Sequence, residues 1–312
     1  MESLLQTIAG VAGLALLYFG AEWLVKGGCA IAAKCRISPL IVGLTLVAFG
    51  TSAPELFVSV DAALEGMGDM SVGNVVGSNI CNIALILGLS ALISPLSVNS
   101  QLFRRDVPLL VVVSATAAGI CGMCAGMGRI EGAVLFAGII VYTVVGIAES
   151  RRSESVGDVP AQMSVARGIL LSVVGLAALV AGSKCLLSAA VFMAKALGVS
   201  EGVIALTVVA VGTSLPELAT SVVAAIKGEK DIAIGNVVGS NIFNILGILG
   251  LSALLKPVSC PHVGWIDLSV MVFLAFVLWP IMKTGRIISR REGVFLLAVY
   301  FGYVAYLCKT AL

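Results

Sequence analysis

The chain has 312 residues, 59% hydrophobic and 12% charged, with 35 glycines and a formal net charge of +2. Soluble domains carry about a quarter charged residues, so this composition, with a mean hydropathy of +1.11, reads as an integral membrane protein. The small net charge gives no reason to expect nucleic-acid binding. Most of the eight cysteines lie in apolar runs. The Cys121-x-x-Cys124 pair lacks the second pair that a metal or redox site needs, so it reads as packing. The first apolar run is too long, and lacks the basic start, for a cleavable signal peptide.

A membrane-crossing helix needs about 20 predominantly apolar residues. On that measure the sequence predicts ten spans: Leu4–Ala33, Pro39–Leu64, Met70–Ile93, Val107–Met127, Ile130–Ala148, Val165–Leu197, Glu201–Ile226, Ile232–Leu255, Val263–Met282 and Gly293–Leu312. The first and sixth are long and glycine-rich. The fourth, fifth, ninth and tenth are plain. Between the fifth and sixth lies a polar linker, residues 150–164.

A duplication sets the domain organisation. Residues 50–88 and 212–250 align without a gap, and 25 of the 39 positions are identical. The expected architecture is therefore an all-α polytopic membrane protein of ten transmembrane helices: a first five-helix repeat (1–149), the linker, and a second repeat (165–312). Five spans per half make the second repeat enter from the opposite side, giving inverted halves. Loops after the odd spans hold fourteen Lys and Arg, whereas the other side holds four: Arg129, Lys195, Lys256 and Lys309. By the positive-inside rule both termini lie outside and the linker is cytoplasmic, in a plasma (inner) membrane.

Glu55 and Glu217 fall inside the second and seventh spans. Carboxylates there are costly and usually mark an ion or proton pathway. Each follows a proline, which removes an N–H and kinks the helix. Carbonyls of Ala48–Thr51 and Ala210–Thr213 are then free to turn toward a cavity. In the third and eighth spans Asn74, Ser78 and Asn82, and Asn236, Ser240 and Asn244, recur at i, i+4, i+8 on one helical face. Carboxylates, amides, hydroxyls and carbonyls without thiolate or imidazole make a hard-oxygen site, which favours Ca²⁺ over zinc or copper and also accommodates Na⁺, an oxygen-seeking cation of similar radius. Glu22 and Lys26 are expected to pair near a headgroup boundary. Asp69 and Asp231 are expected in loops, and His262, the only histidine, as an exposed bystander.

The motifs GTS-x-PEL-x-x-S and GNVVGSNI-x-N, present in both halves, resemble those of the cation/Ca²⁺ exchanger superfamily, closest to the prokaryotic Na⁺/Ca²⁺ exchangers. The resemblance implies Glu55 and Glu217 as central metal ligands with Thr51, Thr213, Ser52 and Ser214 beside them. Backbone oxygens of Ala48 and Ala210, and side chains of Ser78, Ser240, Asn82 and Asn244, complete the implied set. Many relatives carry aspartate where Asn244 stands, and its absence here speaks against K⁺ co-transport.

The resulting expectation is a Na⁺-driven Ca²⁺ antiporter working by alternating access, with the bilayer as its environment. No cofactor and no obligate protein partner is implied. A H⁺/Ca²⁺ antiporter using the same glutamates is the alternative. A cation channel fits less well because paired inward carboxylates bind too tightly for rapid exit. An intramembrane enzyme lacks any H-E-x-x-H or G-x-S-x-G motif.

Overall fold

Two very long helices, α1 (Glu2–Cys35) and α7 (Val165–Ala196), run against each other in the computed structural model, which describes residues 2–152, 163–198, 210–283 and 285–311. Glycines spaced by seven on both helices form the seam: Gly13, Gly20 and Gly27 on α1, Gly168, Gly175 and Gly182 on α7. A Cβ on Gly20 would sit 2.8 Å from the carbonyl oxygen of Gly175, and one on Gly175 would sit 2.7 Å from that of Gly20. Only glycine permits so close a backbone approach in a membrane bundle.

The second apolar stretch is broken as Pro54 requires. Helix α2 (Pro39–Thr51) and helix α3 (Ala53–Glu65) meet at Ser52 with a 51° bend. Pro54 stands in the first turn of α3, where its missing N–H costs nothing, and Gly66 ends that helix at φ +85°. The chain continues through α4 (Gly68–Ile93), β1 (Leu96–Ser97), α5 (Leu102–Cys124), β2 (Gly126–Met127) and α6 (Arg129–Arg152). After α7 come the short α8 (Ala210–Gly212), α9 (Leu215–Lys227), α10 (Lys230–Leu255), β3 (Val258–Ser259), α11 (Trp265–Lys283), β4 (Ile287–Ile288) and α12 (Arg290–Ala311). Pro216 and Gly228 give α9 the same start and stop as α3.

The four strands tie the halves together. Leu96 and Ser97 pair with Ile288 and Ile287, while Met127 and Gly126 pair with Val258 and Ser259. Helix α5 leads from β1 to β2 and α11 from β3 to β4, so the two small sheets cap opposite ends of the bundle. Advancing β1 by the repeat offset gives β3, and the corresponding residues take corresponding partners.

Among the described residues eight helices are long and apolar enough to cross a membrane, and α2 with α3 adds a ninth as one bent span. The expected seventh span, Glu201–Ile226, has residues 201–209 outside the described set, as are residues 153–162 of the linker. Asp69 and Asp231 are in the first turns of α4 and α10 rather than in loops, where a helix N-terminus favours an acid. Helix α5 starts at Leu102, earlier than expected, through a π-helical turn that takes in Asp106.

Candidate cation site

Glu55 and Glu217 occupy the first turns of α3 and α9, at the positive ends of two helix dipoles, and each is 1% exposed. They are held crosswise. Ser52 Oγ donates to Glu217 Oε1 at 2.8 Å, and Ser214 Oγ donates to Glu55 Oε1 at 3.1 Å. Each serine sits in the break preceding its own helix and reaches the acid of the other half.

Helices α4 and α10 cross beside these breaks. Both become π-helical where the third asparagine of the motif, Asn82 or Asn244, falls, over Cys81–Leu87 and Asn244–Leu249. Such turns recur at functional sites. Asn82 Nδ2 donates to Asn241 Oδ1 at 3.1 Å, and Asn244 Nδ2 donates to Asn79 Oδ1 at 3.0 Å. The amide nitrogens are thereby fixed and the amide oxygens turned the other way.

Among the buried side-chain atoms that have no hydrogen-bond partner among the described residues are Glu55 Oε2, Glu217 Oε2, Asn82 Oδ1, Asn244 Oδ1 and Ser240 Oγ. Four of the five accept only, and buried acceptors without donors are rare in folded proteins. Oxygen acceptors of this kind, two of them carboxylate, are what a hard cation coordinates.

Residues 5–148 and 167–309 match the model of the "Sodium/calcium exchanger protein" family. The chain belongs to that family. CaxA of Alkalimonas amylolytica is 38% identical over 96% of this chain and 98% of its own length. The sodium/calcium exchanger MaX1 of Methanosarcina acetivorans is 35% identical, covering 95% and 96%. The solved sodium-calcium exchanger NCX_Mj, soaked with Na⁺ and Ca²⁺, matches with a TM-score of 0.84 at 33% identity, over 96% of this chain and 98% of that one. The exchanger family is one of transporters, and the chain is a multi-pass, all-helical membrane protein.

The other expected site residues fall around the same breaks. Thr51 is fully buried and its hydroxyl lies 3.1 Å from Val47 O and from Asn236 Oδ1. Ala48 O accepts the Ser52 amide at 3.0 Å. Ala210 opens α8, and Gly212 O, the carbonyl that Pro216 deprives of its usual donor, accepts from Ser183 Oγ of α7 at 2.7 Å. Ser78 is buried on α4, and Thr213 lines a cavity.

Asn74 and Asn236 work on the frame. Asn74 Nδ2 lies 2.8 Å from Ser59 Oγ and 3.3 Å from Glu55 O, and Asn236 Nδ2 lies 2.9 Å from Ser221 Oγ and 3.3 Å from Glu217 O. Sequence reading set them among the oxygen donors; their amide nitrogens instead brace the helices that carry the acids. Asn79 and Asn241, which hold Asn244 and Asn82, were visible only as repeated polar residues.

A cavity of about 590 Å³ runs from Thr213 and Asn74 past Gly73, Gly77 and Tyr300 to Asp69 and His262. On the equivalent face of α10, Gly235 and Gly239 are packed against α2, where a Cβ on Gly239 would lie 2.6 Å from Leu44 Cα. His262 is exposed but no bystander. Its backbone N–H donates to Asp69 Oδ1 at 2.9 Å and its Nδ1 lies 3.0 Å from Asp69 Oδ2, joining the loop before α11 to α4 at the cavity mouth. Glu22 pairs with Lys26 at 2.8 Å and also with Lys227 at 2.9 Å.

Proposed function

We propose that this chain exchanges Ca²⁺ for Na⁺ by alternating access, with Glu55 and Glu217 as shared central ligands. What carries the reading is that five buried oxygens around the two helix breaks, contributed by both halves, have no hydrogen-bond partner among the described residues. Two ionised glutamates give −2, which one Ca²⁺ neutralises. Several Na⁺ ions spread over neighbouring oxygens do the same, so the two cargoes exclude one another. Without cargo the like charges repel in a low-dielectric setting, which discourages empty crossing and couples the fluxes.

The halves, residues 1–149 and 165–312, act as inverted repeats around this centre, with the linker between them. Exchanged strand pairings and crossed serine–glutamate bonds support that relation. The lysine and arginine distribution supports a cytoplasmic linker and outside termini. On that orientation the cavity faces outside and the packed face of α10 seals the inside. The glycine seam supports α1 and α7 as the elements that slide between the two states, since close backbone contact leaves few large side chains there to interlock.

The test is radiolabelled Ca²⁺ uptake by proteoliposomes loaded with Na⁺. Uptake follows the Na⁺ gradient, persists when the pH gradient is collapsed, and is abolished by Glu55→Gln or Glu217→Gln. Uptake that tracks pH and ignores Na⁺ makes the chain a proton antiporter instead.

A further inference from the structure

Helices α5 and α11, plain by sequence, each set an aspartate against a tyrosine of the next helix. Tyr142 Oη donates to Asp106 Oδ1 at 3.1 Å, and Tyr303 Oη donates to Asp267 Oδ1 at 2.8 Å. In both pairs the tyrosine follows 36 residues after the aspartate. Asp106 follows β1 and Asp267 follows β3, so the two pairs lie at opposite ends of the bundle.

Their surroundings differ as the two ends differ. Asp267 and Tyr303 line the cavity that connects Thr213 with Asp69 and His262. Asp106 is 0% exposed and Tyr142 is 7% exposed. Beside them Arg105 bonds Glu149, lies over the Tyr142 ring at 5.4 Å, and brings Nε to 3.9 Å from Asp106 Oδ1. A clasp between helices needs only a hydroxyl and a neutral acceptor. An ionisable side chain there adds a desolvation cost, and among the described residues Asp106 Oδ2 is buried with no partner at hydrogen-bond geometry. An orphan carboxylate oxygen in a cation exchanger points to a cation.

We propose that Asp267 and Asp106 are equivalent way-stations for the transported cation, Asp267 on the route open in this structure and Asp106 on the route that is shut. This rests on the cation-exchange reading above. While its route is shut, Asp106 has Arg105 as counter-charge; when the route opens, the guanidinium stays with Glu149 and the carboxylate faces the passing ion.

The experiment uses the full chain in proteoliposomes of defined orientation, with Na⁺-driven uptake of radiolabelled Ca²⁺ presented to one face at a time. For Asp267→Asn the KM for Ca²⁺ rises about threefold to tenfold on the face bearing His262 and is unchanged on the other, as expected when a charge that focuses cations in a cleft is removed. Asp106→Asn gives the reverse. Tyr303→Phe and Tyr142→Phe, which break the clasp and keep the charge, leave both KM values near wild type. Equal changes on both faces, no change on either, or a phenylalanine variant that mimics its asparagine partner overturns the proposal.

Glu55→Gln run in parallel separates the two readings, because exchange that survives it sinks the central-site reading whatever the aspartates do. A readout independent of transport uses Tyr303→Cys and Tyr142→Cys in a chain whose native cysteines are replaced by alanine. The two react with a membrane-impermeant maleimide from opposite faces. Reaction from the same face contradicts the assignment even where the aspartate variants fail to fold.

Discussion

Ser52 of the first half holds the carboxylate of Glu217 in the second, at 2.8 Å, and Ser214 returns the contact to Glu55 at 3.1 Å. Each acid is thus oriented by the break in the opposite helix, and a shift of one break moves the other half's carboxylate. A hydrogen bond to a charged group contributes about 1.5–3 kcal/mol. Ser52→Ala and Ser214→Ala are therefore expected to raise the KM for Ca²⁺ roughly tenfold or more. An uptake titration with unchanged KM would show that the carboxylates are oriented by something else.

Asn79 accepts the Asn244 amide, and both are buried. Asn79→Ala leaves that donor unsatisfied at a cost of about 1–3 kcal/mol, and frees the amide to rotate. The expected result is a lower Tm in detergent together with weakened Ca²⁺ protection against heating. A loss of Tm with Ca²⁺ protection intact assigns Asn79 to the fold alone.

At the α1–α7 seam a Cβ on Gly175 meets the Gly20 carbonyl at 2.7 Å, so Gly175→Ala forces the helices apart. Overpacking of this kind costs about 1–3 kcal/mol. Exchange is expected to slow severalfold while Ca²⁺ binding by calorimetry is retained. Gly302→Ala, which meets nothing within 4 Å, is the matched control and leaves both unchanged.

In the proposed site Asn82 and Asn244 place neutral amides where a third acid would add charge. Ca²⁺ uptake is accordingly expected to be the same in K⁺ and in choline media. A requirement for K⁺ contradicts the charge accounting on which the exchange reading stands.

The broken helices were legible because Pro54 and Pro216 act locally: a missing N–H and a ring clash depend on nothing distant. The buried acids were legible because they recur with their motif at a fixed offset. The crossed serine bonds were not, since whether Ser52 reaches its own half's acid or the other's is decided by how two helix breaks face each other. Asp106 and Asp267 escaped for a simpler reason. Their offset is 161 rather than 162, so the gapless alignment that pairs Glu55 with Glu217 sets Asp106 against Leu268. The shared Arg-x-Glu-Gly at Arg129 and Arg290 carries the shifted register and is the signal that could have found them. His262 was misread because its partner, Asp69, lies far away in sequence and meets it only once α4 and α11 are packed.

The most direct measurement is the number of Ca²⁺ ions bound per chain at equilibrium, in purified protein without Na⁺. One ion at the central site, lost in both Glu55→Gln and Glu217→Gln and displaced by Na⁺, is the predicted result. Two independent ions, or tight binding that survives removal of either glutamate, would contradict a single cation shared by the two acids.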